Sequence, residues 1–227
     1  MSERLKYPVV ITLICLVAAG GLALTYSVTK DPIARSKKSE LVTALAFVLP
    51  AGRARIDEQP LARVKSQRPK DDEKLYIARD AQGAALGYAA IGSAQGYSSR
   101  IKVMVGVDPE LRLIAIRILE QQETPGLGER TREKPATRTI WQVIGGLFGG
   151  AEEDGAGEPE PQFQRQFRGK TYKDVALKTE QGQIAQLTGA TITSRAVVTA
   201  VRGGIADVQK TLLAAQTGKA GTTGGGQ

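Results

Sequence analysis

The pattern of apolar and polar positions divides the chain before any motif is considered. Tyr7 to Thr29 carries no charged residue and is dominated by Val, Ile, Leu and Ala. That length matches one crossing of a hydrocarbon core about 30 Å thick. A cleaved signal peptide is the competing reading. The run is long for such a signal, and Ile14 before Cys15 is bulky for a lipoprotein cleavage site, so the segment reads as an uncleaved anchor. Pro32 to Leu49 then shows helical spacing at Ile33, Leu41, Ala44, Leu45 and Val48, and stops before Pro50. Arg53 to Asp72 is polar, charged and broken by Pro60 and Pro69, which predicts a solvated connector.

Four strand patterns follow, at Lys74–Arg79, Ala84–Ile91, Ile101–Val107 and Leu111–Leu119. Turn signals separate them at Asp80–Gly83, Gly92–Ser99 and Asp108–Glu110. Such short links predict antiparallel meander pairing. Val103, Val105 and Val107 alternate with Met104 and Gly106, as in a half-buried strand. Ile114, Ile116 and Ile118 share one face of the next strand while Leu113, Ala115 and Arg117 share the other, which predicts a central position. A helix is predicted around Thr139–Leu147, a mobile Gly/Glu/Pro-rich insertion at 149–161, and a strand pair at Asp174–Lys178 and Gln183–Leu187. Ala196 to Leu213 reads as an amphipathic helix, and Gln216 to Gln227 as a disordered Gly/Thr-rich tail.

The fold class is therefore α+β, a mostly antiparallel sheet with flanking helices behind one N-terminal transmembrane helix. By segment, residues 1–6 are a short N-terminal stretch and 7–29 the span. Residues 30–72 form a helical linker and connector, 73–215 the domain, and 216–227 the tail.

Composition narrows the chemistry. There is no histidine, and Cys15 is the single cysteine. Histidine acid/base catalysis, His or Cys zinc sites and cysteine-ligated iron–sulfur clusters are excluded, so any redox work falls to an organic cofactor. No metal site and no catalytic residue is assigned. The formal net charge of +8 admits anionic partners, but only 5% of residues are aromatic and the basic residues are interspersed with acidic ones. No nucleic-acid-binding motif is present, and a mildly basic solvated surface explains the charge.

Two segments carry candidate chemistry. Thr188-Gly189-Ala190-Thr191-Ile192-Thr193-Ser194 feeds the start of the C-terminal helix, where unpaired backbone N–H groups and the helix dipole favour a phosphate. Thr193 or Ser194 is the expected N-cap. Glu123-Thr124-Pro125-Gly126-Leu127-Gly128 is the second segment, in which Pro125 fixes chain direction and Gly126 and Gly128 permit close approach. On spacing alone, an ordinary cap and an ordinary turn explain both.

Together with the span, Gly96-Tyr97-Ser98 and Val107-Asp108, these segments resemble the FMN-binding-domain subunits of ion-translocating membrane redox complexes. The resemblance is first to the G subunit of the Rnf complex (ferredoxin:NAD⁺ oxidoreductase) and second to its homologue, the C subunit of the Na⁺-translocating NADH:quinone oxidoreductase, which is kept as an alternative. The resemblance implies an electron-relay subunit rather than a complete enzyme, with FMN esterified through its phosphate to Thr191. It further implies installation from FAD by a Mg²⁺-dependent flavin transferase. Gly189 and Ala190 would leave room at the acceptor, Thr188, Thr193 and Ser194 would surround the phosphate, and the Glu123–Gly128 loop would lie along the flavin. Implied partners are the other subunits, the transferase and membrane lipid. The implied place is the bacterial cytoplasmic membrane, single-pass, N-terminus inside and domain in the periplasm. Lys30, Arg35, Lys37 and Lys38 after the span oppose that orientation, since Arg4 and Lys6 alone precede it. Three positions depart from the family pattern: Ala185 replaces an aspartate, Gln121 a histidine and Ser99 a glycine. A cofactor-free membrane-anchored assembly module is the alternative reading from another class.

Overall fold

The computed structural model describes residues 3–49, 55–64, 69–132 and 160–220. The predicted helix at Thr139–Leu147 lies outside them. Helix α1, Glu3–Val48, is one continuous helix that passes through Pro8 and Pro32. It joins the span and the following helical pattern, which the sequence separated at Pro32. By length and composition α1 can cross a membrane, and every residue from Tyr7 to Glu40 is exposed. In lipid a hydroxyl needs an internal acceptor. Thr12 and Thr25 meet that need by donating to the carbonyls four residues back, Pro8 at 2.8 Å and Gly21 at 2.9 Å. Two compact units divide between Thr43 and Ala44.

The second unit is built on a five-stranded antiparallel meander in the order β1 (Arg55–Pro60), β2 (Lys74–Arg79), β3 (Ala85–Gln95), β4 (Arg100–Val107), β5 (Leu113–Glu120). Strand β1 overturns the expectation of a solvated connector. It is almost wholly exposed and lacks apolar alternation; it holds its place by pairing with β2 and by Arg79–Asp57 and Lys74–Glu58 ion pairs of 2.9 and 3.0 Å. Pro60 is tolerated because β1 is an edge strand. Beyond it Leu61 is buried, and the Ala62 N–H donates to Thr211 Oγ1 at 3.0 Å.

Strand β5 is the other edge, not a central strand as its apolarity predicts. Its outer side is covered instead: Leu113 N–H donates to Lys170 O at 2.9 Å, and Gly169 N–H to Leu113 O at 2.7 Å. Phe163 and Phe167, in and after the short helix α2 (Gln162–Arg165), pack edge to face in the core. Glu160 and Pro161, assigned to the mobile insertion by sequence, are buried, and Glu160 pairs with Arg168 at 2.8 Å; residues 149–159 lie outside the described residues. The expected strand pair near 174–187 reduces to a single parallel bridge, Leu177 to Ile184.

Helix α3, Thr191–Ala220, covers one face of the sheet through β3 and β4. It begins two or three residues earlier than the expected caps, and runs through 216–220, which the sequence assigned to the tail. Gly92, read as part of a turn, lies inside β3, where a Cβ would stand 1.9 Å from Ala200 O of α3. On the opposite face the last turn of α1 sits so close that a Cβ on Gly106 would lie 2.0 Å from Val48 O. Strand β4 is therefore buried on both faces between Val103 and Val107, rather than half-buried. Phe47 lies under two guanidinium groups, Arg117 at 5.4 Å and Arg168 at 5.8 Å. Because backbone blocks the Gly92 position, Gly92→Ala is expected to cost about 3 kcal/mol by forcing α3 off the sheet. A thermal melt of that variant unchanged from the parent would refute this account of the helix–sheet contact.

Candidate functional site

The site forms where three chain segments meet at one end of the sheet. The first is the β3–β4 turn, closed by Gly96 N–H donating to Ser99 O at 2.8 Å. The second is the loop that follows β5, carries Glu123 and runs into a short 3₁₀ turn, Gly128–Thr131. The third is the N-terminus of α3.

Glu123 joins them. Its Oε1 accepts the backbone N–H groups of Ser98 and Ser99, each at 3.1 Å, and its Oε2 accepts that of Tyr97 at 3.2 Å. Three successive N–H groups aimed at one carboxylate form a backbone nest. The same Oε2 accepts the Thr193 hydroxyl at 2.6 Å, which fastens the first turn of α3. Burial pushes the Glu123 carboxyl upward, but the Thr193 hydroxyl and the three N–H groups outweigh it and hold the group below the ordinary glutamate range. An ionised carboxylate is therefore fixed inside the protein.

Both flanking glycines are explained by this carboxylate. A Cβ on Gly96 would lie 2.5 Å from Glu123 Oε1, and one on Gly128 would lie 2.7 Å from both Glu123 Cβ and Thr193 Oγ1. The sequence pattern assigned Gly126 and Gly128 to close approach by a flat ligand. Gly128 makes room for Glu123 and Thr193, and it also lines the cavity beside them. Gly126 meets nothing within 4 Å and is required by its φ of +73°. Gly189, at φ +79°, turns the chain into α3, with Ala190 buried behind it. Gly128→Ala is accordingly expected to loosen the Thr193 contact and lower the melting temperature, whereas the open space at Gly126 leaves backbone strain as the whole cost of Gly126→Ala. Equal melting temperatures for Gly128→Ala and the parent would contradict that division.

Above the carboxylate lies an open cavity of about 560 Å³. Thr191 and Gly189 line its α3 end, and Thr124, Leu127 and Gly128 its loop side. Tyr97, Leu127 and Ile192 form an exposed apolar rim, 69%, 44% and 51% accessible. Tyr97 and Ile192 were not among the residues that the sequence marked for the site; the signal for Tyr97 was present in the Gly96-Tyr97-Ser98 motif. Pro125, Gly126, Thr188 and Ser194 were marked by sequence but do not line the cavity. The hydroxyls of the Thr188–Ser194 run have separate fates. Thr193 is held by Glu123, and Ser194 Oγ, fully buried, accepts the Leu187 N–H at 3.1 Å. Among the described residues the Thr191 hydroxyl makes no hydrogen bond, and Thr188 is exposed outside the cavity.

An FMN-binding domain family model matches residues 96–206, which contain all three segments. The G subunit of the ion-translocating oxidoreductase complex of Aliivibrio fischeri is 30% identical over 209 residues, covering 89% of each chain. Its namesake in Vibrio cholerae is 31% identical over 206 residues, covering 87% of this chain and 86% of that one. The chain belongs to the family of these G subunits. Among solved structures, Shewanella oneidensis NqrC is similar at 17% identity and a TM-score of 0.43, over 77% of this chain and 74% of that one.

Ser99, Gln121 and Ala185 are each built into the protein's framework. Ser99 Oγ accepts the Gln122 N–H at 2.7 Å, beside the glutamate that holds the Ser99 backbone. Gln121 Oε1 accepts the Thr131 hydroxyl at 2.7 Å. Ala185 exchanges backbone hydrogen bonds with the Gln166 side chain at 2.7 and 3.3 Å.

Proposed function

We propose that the chain is the membrane-anchored flavoprotein subunit of an ion-translocating ferredoxin:NAD⁺ oxidoreductase, carrying one FMN on Thr191 as an electron relay. The observation that carries this reading is the convergence, around one cavity, of the free Thr191 hydroxyl, the α3 N-terminus and the Thr124–Gly128 loop. The cavity suits a flavin in size, since pockets for ligands of this class span roughly 300–1,000 Å³. It suits it in chemistry too: the N–H groups of the first turn of a 30-residue helix would favour a phosphate at the α3 end of the cavity, and the Tyr97–Leu127–Ile192 rim offers apolar surface to a ring.

FMN bound there supplies one-electron and two-electron redox chemistry. Gly189 and Ala190 keep bulk away from the Thr191 hydroxyl, and Glu123 fixes the loop and the helix against each other. In attachment, the Thr191 hydroxyl would supply the oxygen that takes the FMN phosphoryl group from FAD, with the pyrophosphate P–O bond broken, AMP leaving, the hydroxyl proton released and no change in oxidation state. A flavin transferase is the partner for that step, and the other subunits of the complex donate and accept electrons. Intact-mass measurement after co-expression with a flavin transferase tests the reading. One esterified FMN per chain is expected; a folded chain without flavin supports the assembly-module alternative instead.

The place proposed is the bacterial cytoplasmic membrane, with α1 as the single span, the N-terminus inside and the flavin domain in the periplasm. Covalent attachment suits a compartment where free FMN cannot replace losses. A C-terminal alkaline phosphatase fusion is expected to be active. A fluorescent GFP fusion with an inactive phosphatase would place the domain in the cytoplasm, as Lys30, Arg35, Lys37 and Lys38 after the span would favour.

A further inference from the structure

The Thr188–Ser194 run holds four hydroxyls within seven residues, and a phosphoryl group has to reach one of them. The motif match singles out Thr191, but the local chemistry of the run does not by itself separate Thr191 from Thr193. Both lie in the first turn of α3, and both line the cavity. Their chemical states differ because of a residue from another part of the chain. Thr193 is 2% exposed and spends its proton on Glu123 Oε2 at 2.6 Å, while the Thr191 hydroxyl is free among the described residues.

We propose that Glu123 selects the acceptor: by pinning the buried Thr193 hydroxyl against a fixed carboxylate it keeps an anionic phosphoryl group away from that oxygen and leaves Thr191 as the hydroxyl that receives it. This rests on the flavoprotein reading given above. Three features of the site support it. The carboxylate is held from below by the Tyr97, Ser98 and Ser99 N–H groups, so it cannot swing away to release Thr193. Gly128 leaves no side chain between Glu123 and Thr193, so the two meet directly. A carboxylate beside a hydroxyl that is already its donor also repels an approaching phosphate, because two negative charges at short range are unfavourable. Farther along the turn, Thr191 lies at the opening, with the positive end of the helix dipole behind it and no carboxylate on its hydroxyl.

Glu123 is therefore a positioning residue acting through Thr193; it does not touch the reacting atoms. The run's other hydroxyls are removed by simpler means, Ser194 by burial against the Leu187 N–H and Thr188 by lying outside the cavity.

The test uses the full chain co-expressed with a flavin transferase and maps the adduct by peptide mass spectrometry. The parent is expected to carry FMN on Thr191 alone, and Thr191→Ala to carry none. In Thr191→Ala combined with Glu123→Ala, an FMN adduct on Thr193 is expected to appear. If that pair does not give folded protein by circular dichroism, Thr191→Ala with Glu123→Gln is read in its place, since glutamine keeps the side-chain volume and an acceptor for the backbone N–H groups. A folded pair without a Thr193 adduct overturns the proposal. So does a Thr193 adduct in Thr191→Ala with Glu123 intact. A parent chain that carries no FMN at all refutes the flavoprotein reading and this proposal with it, whereas a labelled parent with an unlabelled double variant refutes the role of Glu123 alone.

Discussion

Thr191→Ala is expected to abolish covalent flavin while leaving the fold and its stability essentially unchanged. The side chain is half-buried at the cavity edge and makes no hydrogen bond among the described residues, so removing it costs the protein no partner. Substitutions of that kind change stability by about 0.5 kcal/mol or less. The chemical effect is total because the ester requires one atom, the threonine oxygen. Thr191→Ser keeps that oxygen and is expected to retain labelling, reduced by the extra freedom of the serine rotamer. A UV-fluorescent band after denaturing electrophoresis reads both variants, and thermal melting checks the fold. Fluorescence persisting in Thr191→Ala would assign the bond to another residue of the run.

The parts of the fold legible in the sequence are those whose side chains see a local, repeating environment. Strands β2 to β4 showed themselves through alternation and through turn residues such as Asp80, whose Oδ1 accepts the Gln82 and Ala84 N–H groups at 3.0 and 2.7 Å. Strand β1 gave no such signal, because an exposed edge strand is specified by its neighbour and by ion pairs across it. The apolarity of β5 was read correctly as burial and wrongly as centrality. Its cover is the chain around Phe163–Lys170, and no local pattern announces a cover more than forty residues away.

The site divides in the same manner. Thr191, Gly189 and the loop residues Thr124, Leu127 and Gly128 were legible because family motifs mark them, and the structure brings them to one cavity. The work of Glu123 was not legible. Its partners lie 24 to 26 residues before it and 70 after it, and hydrogen bonds at that separation leave no trace in periodicity. The hydroxyls expected to cap α3 illustrate the same limit. Thr193 and Ser194 are indeed at the helix start, but one is drawn sideways to a carboxylate and the other back to the chain before the helix, so the helix begins at Thr191.

Glu123→Ala is expected to lower stability by about 3 kcal/mol at neutral pH, because it leaves three backbone N–H groups and a buried hydroxyl without their acceptor. The same carboxylate makes the domain acid-sensitive in a defined direction. Its folded-state pKa lies below the ordinary value of about 4.5, so the unfolded chain binds the proton first as the pH falls. The stabilisation is thus fully present above the unfolded value and is lost as the pH drops through the lower, folded one. Glu123→Gln removes that titration. It is expected to be less stable than the parent at pH 7, where glutamine turns an N–H toward donors that need an acceptor. Below about pH 4 the gap narrows, because the unfolded parent then binds a proton that the folded carboxylate still resists. Denaturant unfolding of parent and Glu123→Gln at pH 7 and in this acid range reads the difference directly. A gap that stays constant across the range would mean that Glu123 titrates alike in the folded and unfolded chain, and that the nest does not favour its charged form.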